Sequence, residues 1–356
     1  MPDDLSAPRV IQDRRTFTLA EVRAIHDLPL TQLLFRAQTV HRAHHTPDAV
    51  QLCTLLSIKT GGCPEDCGYC GQSARHEAKL PAQPLMDEED VLAAASRARA
   101  AGATRFCMGA AWRNAKGGEQ FERVLRMVKG VRALGMEACV TLGMLNAEQA
   151  TALKAAGLSA YNHNLDTSRE YYGNIISTRT YDDRLKTLEH VQNAGISVCC
   201  GGIIGMGESI DDRCAMLVTL NNLDTPPESV PINALGAVPG TPLAHRTPIE
   251  PFEMVRMCAT ARIVIPTARV RLSAGRVGLS REAQMLCFMA GANSIFFGDK
   301  LLTITNPEHD ADMQMLADAG LSALPPEDSD EPPQPIVLKP REERARERHA
   351  SLPLAK

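Results

Sequence analysis

The sequence predicts an α/β chain folded as a (β/α)8 barrel, with a helical extension ahead of it and a charged tail behind it. Three observations carry this reading. Eight short β-prone runs recur from residue 51 onward, at 51–58, 104–110, 136–143, 159–165, 196–204, 230–236, 269–274 and 293–298. Amphipathic helical stretches separate several of them, and two of these, 88–102 and 119–135, end on the glycine expected at a helix C-terminus. No GxGxxG follows the first strand, which removes the usual signature of the competing fold, an open doubly wound sheet. Strands alternating with helices build a parallel sheet, and eight is the count of a TIM-type barrel.

Residues 1–17 are polar and are expected to be a flexible N-terminus. Residues 18–44 read as two short helices around Pro29, with Leu30, Leu33, Leu34 and Ala37 at helical spacing. The barrel domain, with these helices, is placed at 18–320. Residues 321–356 are proline-rich, first acidic and then basic, and are expected to form a disordered, solvated tail.

The composition narrows the function classes. A chain of 356 residues, 44% hydrophobic and 22% charged, can bury a sizeable core. Its net charge of −4 and 4% aromatic content offer neither the positive field nor the stacking platforms of a nucleic-acid binder. No apolar run approaches the roughly 20 residues that span a bilayer, so no membrane partner is expected. The acidic start, MPDDLSAPRV, lacks the pattern of a secretory signal, which points to the cytoplasm. There, eleven cysteines are not a disulfide framework. They are buried thiols, metal ligands or nucleophiles.

GGCPEDCGYCGQS sets Cys63, Cys67 and Cys70 in a CxxxCxxC array directly after the first strand. Three soft thiolates on one short loop can hold one face of a thiophilic metal centre. Three are too few to close a tetrahedral zinc site, whereas a four-iron cluster would keep one iron open. The competing reading is a structural zinc site completed from a distance, with His76 as candidate. Tyr69, between two of the cysteines, either packs over the loop or contacts a bound ligand.

Period-2 alternation adds a second group. Cys199 shares a face with Ser197, while Cys200 sides with Ile196 and Val198. Cys139 aligns with Glu137 and Thr141, and Cys107 with Arg105 and Gly109. Asn162, Asn164 and Asp166 line one face, as do Ser229 and Asn233, and Arg269, Arg271 and Ser273. Each strand cysteine alone reads as a small buried hydrophobe. An ordinary barrel fills its interior with Val, Ile and Leu, so several strands sending thiol or polar groups the same way argue for a cavity holding cofactor and substrate.

These residues resemble the biotin synthase family of the radical S-adenosylmethionine superfamily. The resembling segments are LLSIKTGGCPEDCGYCGQS, RFCMGAAW, YNHNLDTS, PPESVPIN, VRLSAGR and CFMAGANSIFFG, spread over roughly residues 18–320. The first is specific to the superfamily; YNHNLDTS and VRLSAGR narrow it to this family. Lipoyl synthases carry a second three-cysteine motif that is not found here.

The resemblance implies a sulfurtransferase that inserts sulfur into dethiobiotin by radical chemistry, using S-adenosylmethionine. It implies a 4Fe–4S cluster on Cys63, Cys67 and Cys70, and a 2Fe–2S cluster, the sulfur donor, on Cys107, Cys139, Cys199 and Arg271. The arginine is chemically odd, because a guanidinium has no lone pair to give; its competing reading is a salt bridge inside the barrel. Tyr69, Asn164, Asp166, Arg184 and Ile203 (within GGIIGMGE) would contact S-adenosylmethionine, and Asn162, Asn164 and Asn233 the cyclic urea of the substrate. A homodimer, an electron donor such as flavodoxin and iron–sulfur assembly machinery are implied as partners. The chain departs from the pattern at Cys200, where Ser is also seen, at Gly68 and Gly71, which replace bulkier residues, and in its tail. None of these is a ligand position.

Overall fold

The structure, a computed structural model, describes residues 15–78, 80–298, 300–307, 309–326 and 332–336. Residues 1–14, most of the stretch read as a flexible N-terminus, lie outside the described residues, as do 327–331 and 337–356 of the stretch read as a tail.

Two helices precede the barrel: α1 (Leu19–His26) and α2 (Leu30–His44). Thr18 caps α1, accepting from the Glu21 amide while the Glu21 carboxylate accepts from the Thr18 amide. Pro29, between the helices, stands as the N-cap of α2.

The barrel strands are β1 (Ala49–Lys59), β2 (Arg105–Ala110), β3 (Glu137–Thr141), β4 (Ala160–Asn162), β5 (Ser197–Cys199), β6 (Gly202–Ile204), β7 (Ser229–Ala234), β8 (Arg269–Leu272) and β9 (Ser294–Phe296). Every pairing among them is parallel, and β1 pairs with both β2 and β9, so the sheet closes on itself. The strand β5 and the strand β6 form one interrupted barrel position: Cys199 pairs with Ser229 and, beyond the break, Gly202 pairs with Ile232. Eight positions result, as the sequence predicts. The helices between them are α3 (Glu88–Ala100), α4 (Glu119–Ala133), α5 (Ala147–Ala155), α6 (Arg169–Tyr172), α7 (Tyr181–Asn193), α8 (Ile210–Asn221), α9 (Pro251–Val264) and α10 (Arg281–Met289). Gly102 and Gly135, just beyond α3 and α4, take φ of 98° and 73°, the left-handed conformation that ends a helix.

After β9, a small hairpin joins β10 (Lys300–Leu301) to β11 (Ile304–Thr305), followed by α11 (His309–Asp318). Two further pieces, β12 (Ser322–Ala323) and β13 (Gln334–Pro335), extend the sheet beyond the start of β1: Ala49 and Val50 pair in parallel with Ser322 and Ala323. The stretch from 321 therefore opens with strand residues bound to the barrel.

Apolar residues segregate into two cores. The larger lies between the sheet and the helices and takes one face of each strand, including Leu52, Phe106, Met108, Val140, Val198 and Cys200. The smaller lies inside the barrel and holds Cys53, Cys107, Cys139, Ala160, Phe296 and Leu301. The alternation read from the sequence thus sorts the cysteines correctly, with Cys199 and Cys200 on opposite faces.

Where α2 meets α9, His41 and His45 stack with ring centroids 5.4 Å apart. His45 Nε2 lies 2.6 Å from Nη1 of the fully buried Arg262, which donates to it. Burial and the Arg262 charge push His41 down to about 4 and His45 to about 3. Above the ordinary histidine value both rings are neutral in folded and unfolded chains. Below it the unfolded chain takes up protons that the folded chain refuses, so stability should fall as pH drops from about 6.5 toward 4, by up to about 1.4 kcal/mol per pH unit for each ring. The urea midpoint is expected to be lower at pH 5 than at pH 7, with a shallower decline in His45→Gln. An equal decline in that variant would remove His45 from the account.

Candidate functional site

The loop carrying the three cysteines leaves the C-terminal end of β1, where barrel active sites lie. Backbone bonds hold it: the Cys63 amide donates to the Gln72 carbonyl at 2.9 Å, the Ala74 amide to the Cys63 carbonyl at 2.8 Å, and the Cys70 amide to the Cys67 carbonyl at 2.9 Å. Gly61 allows the tight entry, with φ of 68° and an approach to Pro81 so close that a Cβ would sit 2.6 Å from its carbonyl oxygen. Asp66 ties the loop to the segment before α7, accepting from the Ser177 and Thr178 amides at 3.0 and 3.2 Å. Burial works against its charge, yet these bonds and the two hydroxyls hold its carboxyl well below the usual range.

Cys63, Cys67 and Cys70 line one cavity of about 310 Å³ inside the mouth of the barrel. Burial pushes all three thiols up, Cys70 to about 12. Arg179 donates through Nη2 to Cys67 Sγ at 3.5 Å. His76 is not placed as a fourth ligand: its Nε2 lies 2.9 Å from the Cys67 carbonyl oxygen. Among the described residues no three His, Cys, Asp or Glu side chains converge on a site for a single ion. The three thiols line one cavity together.

Along one wall, Asp166 adopts φ of 69° and accepts through Oδ2 from Tyr69 Oη at 2.9 Å and Arg184 Nη2 at 2.5 Å. Burial raises Tyr69, so it stays a donor. Burial also works against the Arg184 charge, and Asp166 together with the neighbouring Tyr172, Tyr69 and Cys67 more than restores it. Asn162 donates to Asn164 Oδ1 at 3.3 Å and to Cys199 Sγ at 3.3 Å, and accepts from Thr141 Oγ1 at 3.1 Å. Asn233 donates to the Gly202 carbonyl at 2.9 Å and accepts from the Ala274 amide at 3.1 Å. Asn162, Asn164, Asp166, Arg184, Ile203 and Asn233 all line the cavity.

At its deep end, Cys107 and Cys139 sit opposite each other in the register of β2 and β3. The two neighbouring thiols act on each other, raising Cys107 and lowering Cys139. Arg271, fully buried, donates to Cys199 Sγ at 3.4 Å, Ser294 Oγ at 2.9 Å and Gln51 Oε1 at 3.3 Å, and lies over the Phe296 ring. No carboxylate touches it in these contacts, so the salt-bridge reading of Arg271 is not what the barrel builds. The ion pairs lie one layer below, where Arg105 meets Glu137 at 2.6 Å and Glu228 through both terminal nitrogens at 3.0 Å.

Several lining groups were missed in the sequence. Glu65 Oε1, His163 Nε2 and Arg179 Nε are buried polar atoms without a hydrogen bond, although Arg113 stands 3.5 Å from Glu65 Oε1 and Arg179 Nε 4.0 Å from Glu65 Oε2, and Glu65, His163 and Arg179 all face this cavity. Such atoms are rare without a ligand to satisfy them. His163 stands in YNHNLDTS and is held neutral by burial and by Arg184 and Arg179. Leu301, Leu302, Thr303 and Ile304, on the hairpin, also close over the cavity.

Comparison with known proteins agrees with this architecture. Residues 57–220 match the family model described as Radical SAM superfamily, and residues 231–322 match the Biotin and Thiamin Synthesis associated domain. The chain is 66% identical over 309 residues to the biotin synthase of Methylobacterium sp. (strain 4-46), covering 86% of this chain and 93% of that one. It is 64% identical over 319 residues to the biotin synthase of Myxococcus xanthus, covering 90% and 92%. In fold it resembles methylornithine synthase, with a TM-score of 0.72 at 18% identity over 88% of this chain and 94% of that one. With such identity over nearly the full length of its relatives, and with the loop cysteines, Cys107 and Cys139 lining one barrel cavity, the chain belongs to the biotin synthase family of radical S-adenosylmethionine enzymes.

Proposed function

We infer that this chain is a sulfurtransferase that converts dethiobiotin to biotin, with S-adenosylmethionine and a 4Fe–4S cluster at Cys63, Cys67 and Cys70. A 2Fe–2S cluster, the sulfur source, would be held by Cys107, Cys139, Cys199 and Arg271. The observation that carries the reading is a single cavity bordered by the loop thiols at one end and by Cys107, Cys139 and Arg271 at the other. A substrate between them would meet both. When bound, these groups supply one-electron chemistry able to take hydrogen from saturated carbon, which side-chain acids and bases cannot do, and the sulfur that replaces it.

The chain's own residues bind, orient and enclose. Cys63, Cys67 and Cys70 would supply three thiolates, one fewer than a four-iron cluster accepts, which would leave one position for the amino-acid end of S-adenosylmethionine. Asp166 is fixed through Oδ2 by Tyr69 and Arg184, which leaves Oδ1 to accept from a ribose hydroxyl. Arg184 spends Nε on Tyr172 and Nη2 on Asp166, keeping Nη1 for a carboxylate. Ile203 adds apolar wall beside the methionine end. The side-chain oxygens of Asn162 and Asn233 each accept one scaffold bond and retain a second lone pair for the N–H groups of a cyclic urea. Asn164 Oδ1 is committed to the Gly201 amide and Asn162, so its NH2 group is left for the urea carbonyl or the ribose. Leu55, Phe296 and the hairpin leucines limit water around the reacting atoms.

Partners belong to the same proposal: a one-electron donor such as flavodoxin, assembly machinery to restore consumed sulfur, a cytoplasmic setting and a homodimer. Among the described residues no helix is long and apolar enough to cross a membrane. The test is mass spectrometry of an anaerobic mixture of reconstituted protein, reductant, S-adenosylmethionine and dethiobiotin. Biotin together with 5′-deoxyadenosine is expected. 5′-Deoxyadenosine without biotin, from protein shown to carry both clusters, would move the activity to another substrate.

A further inference from the structure

Among the described cysteines that face the barrel interior, Cys53 is the one left without a role. It lies on β1, is fully buried, and belongs to the same interior group as Cys107 and Cys139. Its register neighbours are Arg105 on β2 and Phe296 on β9, and Leu55, two residues on, stands opposite Cys107.

Its surroundings are those of Arg271. Cys53 Sγ lies 3.4 Å from Gln51 Oε1 and 3.6 Å from Ser294 Oγ. Arg271 reaches the same two oxygens, at 3.3 Å through Nη2 and 2.9 Å through Nε, and donates to Cys199 Sγ at 3.4 Å through Nη1. Thiol and guanidinium thus stand side by side, joined by two shared polar neighbours, at the edge of the Cys107–Cys139–Cys199 group. Cys200, Cys214, Cys258 and Cys287 all lie in the outer core instead.

Two tetrahedral irons bridged by two sulfides have four terminal positions, and three thiols fill three of them. The fourth falls to a residue that carries a charge and no lone pair. A thiolate is the softer and stronger donor. We propose that Cys53 is a fourth thiol ligand of the deep cluster, able to take the place of Arg271 so that two irons are held by cysteines alone. In the exchange an iron–Sγ bond would form and the iron–nitrogen bond to Arg271 would break; the Cys53 thiol proton would pass to the freed guanidine, which becomes guanidinium, and no electron is transferred. Its use would be retention, since a centre whose sulfide is consumed must keep its irons until sulfur returns.

The proposal rests on the reading that a two-iron cluster occupies the deep thiols, and the test separates the two. Iron, acid-labile sulfide and the Mössbauer spectrum are measured on anaerobically reconstituted wild type, Arg271→Ala, Cys53→Ala and the double variant, with circular dichroism as the folding control. Arg271→Ala is expected to keep both deep irons with an all-sulfur signature, and the double variant to lose them. Arg271→Met and Cys53→Ser, which leave the volume filled, replace any alanine variant that does not fold. Loss of the deep irons from the Arg271 variant alone, or their equal retention in the double variant, would overturn the proposal. A wild-type chain that takes up only the four-iron cluster would overturn the underlying reading and the proposal with it.

Discussion

Replacing Cys63, Cys67 or Cys70 by alanine is expected to abolish both 5′-deoxyadenosine and biotin, whereas replacing Cys107, Cys139 or Cys199 is expected to spare 5′-deoxyadenosine and eliminate biotin. The loss should exceed the roughly 10–100-fold that changes outside the ligand set cost a metal site. The split follows from the layout. The loop thiols stand at one end of the cavity beside Tyr69, Asp166 and Arg184, and the deep thiols reach none of these groups. Misfolding would not produce the same pattern. The loop is tied by amide–carbonyl bonds at Cys63, Cys70, Gln72 and Ala74 that an alanine leaves in place. The deep cysteines sit in strands whose parallel ladder is likewise made of backbone. Anaerobic mass spectrometry of both products, read beside iron content, checks the expectation. A Cys199 variant making biotin at the parental rate would end its assignment as a ligand, and a Cys67 variant still cleaving S-adenosylmethionine would do the same for the loop.

What could be read from the sequence was local. Strand and helix rhythm is written in short-range alternation, so eight barrel positions and the facing of Cys107, Cys139 and Cys199 were legible. The break in the fifth position was not. ISVCCGGII reads as one strand, yet it divides after Cys199 because the facing residue on β7 is Pro231, which has no amide to donate to the ladder. Gly201 lies so close to it that a Cβ would fall 2.0 Å from the Pro231 carbonyl oxygen.

The site divides in the same way. The cysteine spacing announces itself, but the bond from Arg179 to Cys67 spans 112 positions and has no local sign. His163 stands inside YNHNLDTS with no local mark of its own, and only its buried Nε2, without a hydrogen bond, singles it out. The β10–β11 hairpin is too short to leave a periodic trace. Cys53 is the instructive case. Gln51, Cys53 and Leu55 alternate as clearly as the runs that were read, and the signal was available in QLCTLLSI.

The layer beneath the deep thiols should dominate stability. Arg105 and Glu137 are each 1% exposed and 2.6 Å apart, and Arg105 also grips Glu228. Arg105→Ala strips the closest cation from a buried carboxylate and is expected to cost about 3–5 kcal/mol, a large part of the stability of most domains. Arg105→Met combined with Glu137→Leu removes both charges and should be far closer to the parent. Urea unfolding would measure the loss, and equal deficits for the single and double variants would refute the pairing argument. The same substitution bears on the site, because Arg105 lies two residues before Cys107 and Glu137 two before Cys139, in a register that sets the two thiols opposite each other. A pair that fixes this register holds the deep thiols where one cluster can bridge them. The Arg105→Ala chain should therefore retain fewer deep irons under conditions where it is still folded, while its four-iron cluster, seated on a loop that Arg105 does not touch, is kept.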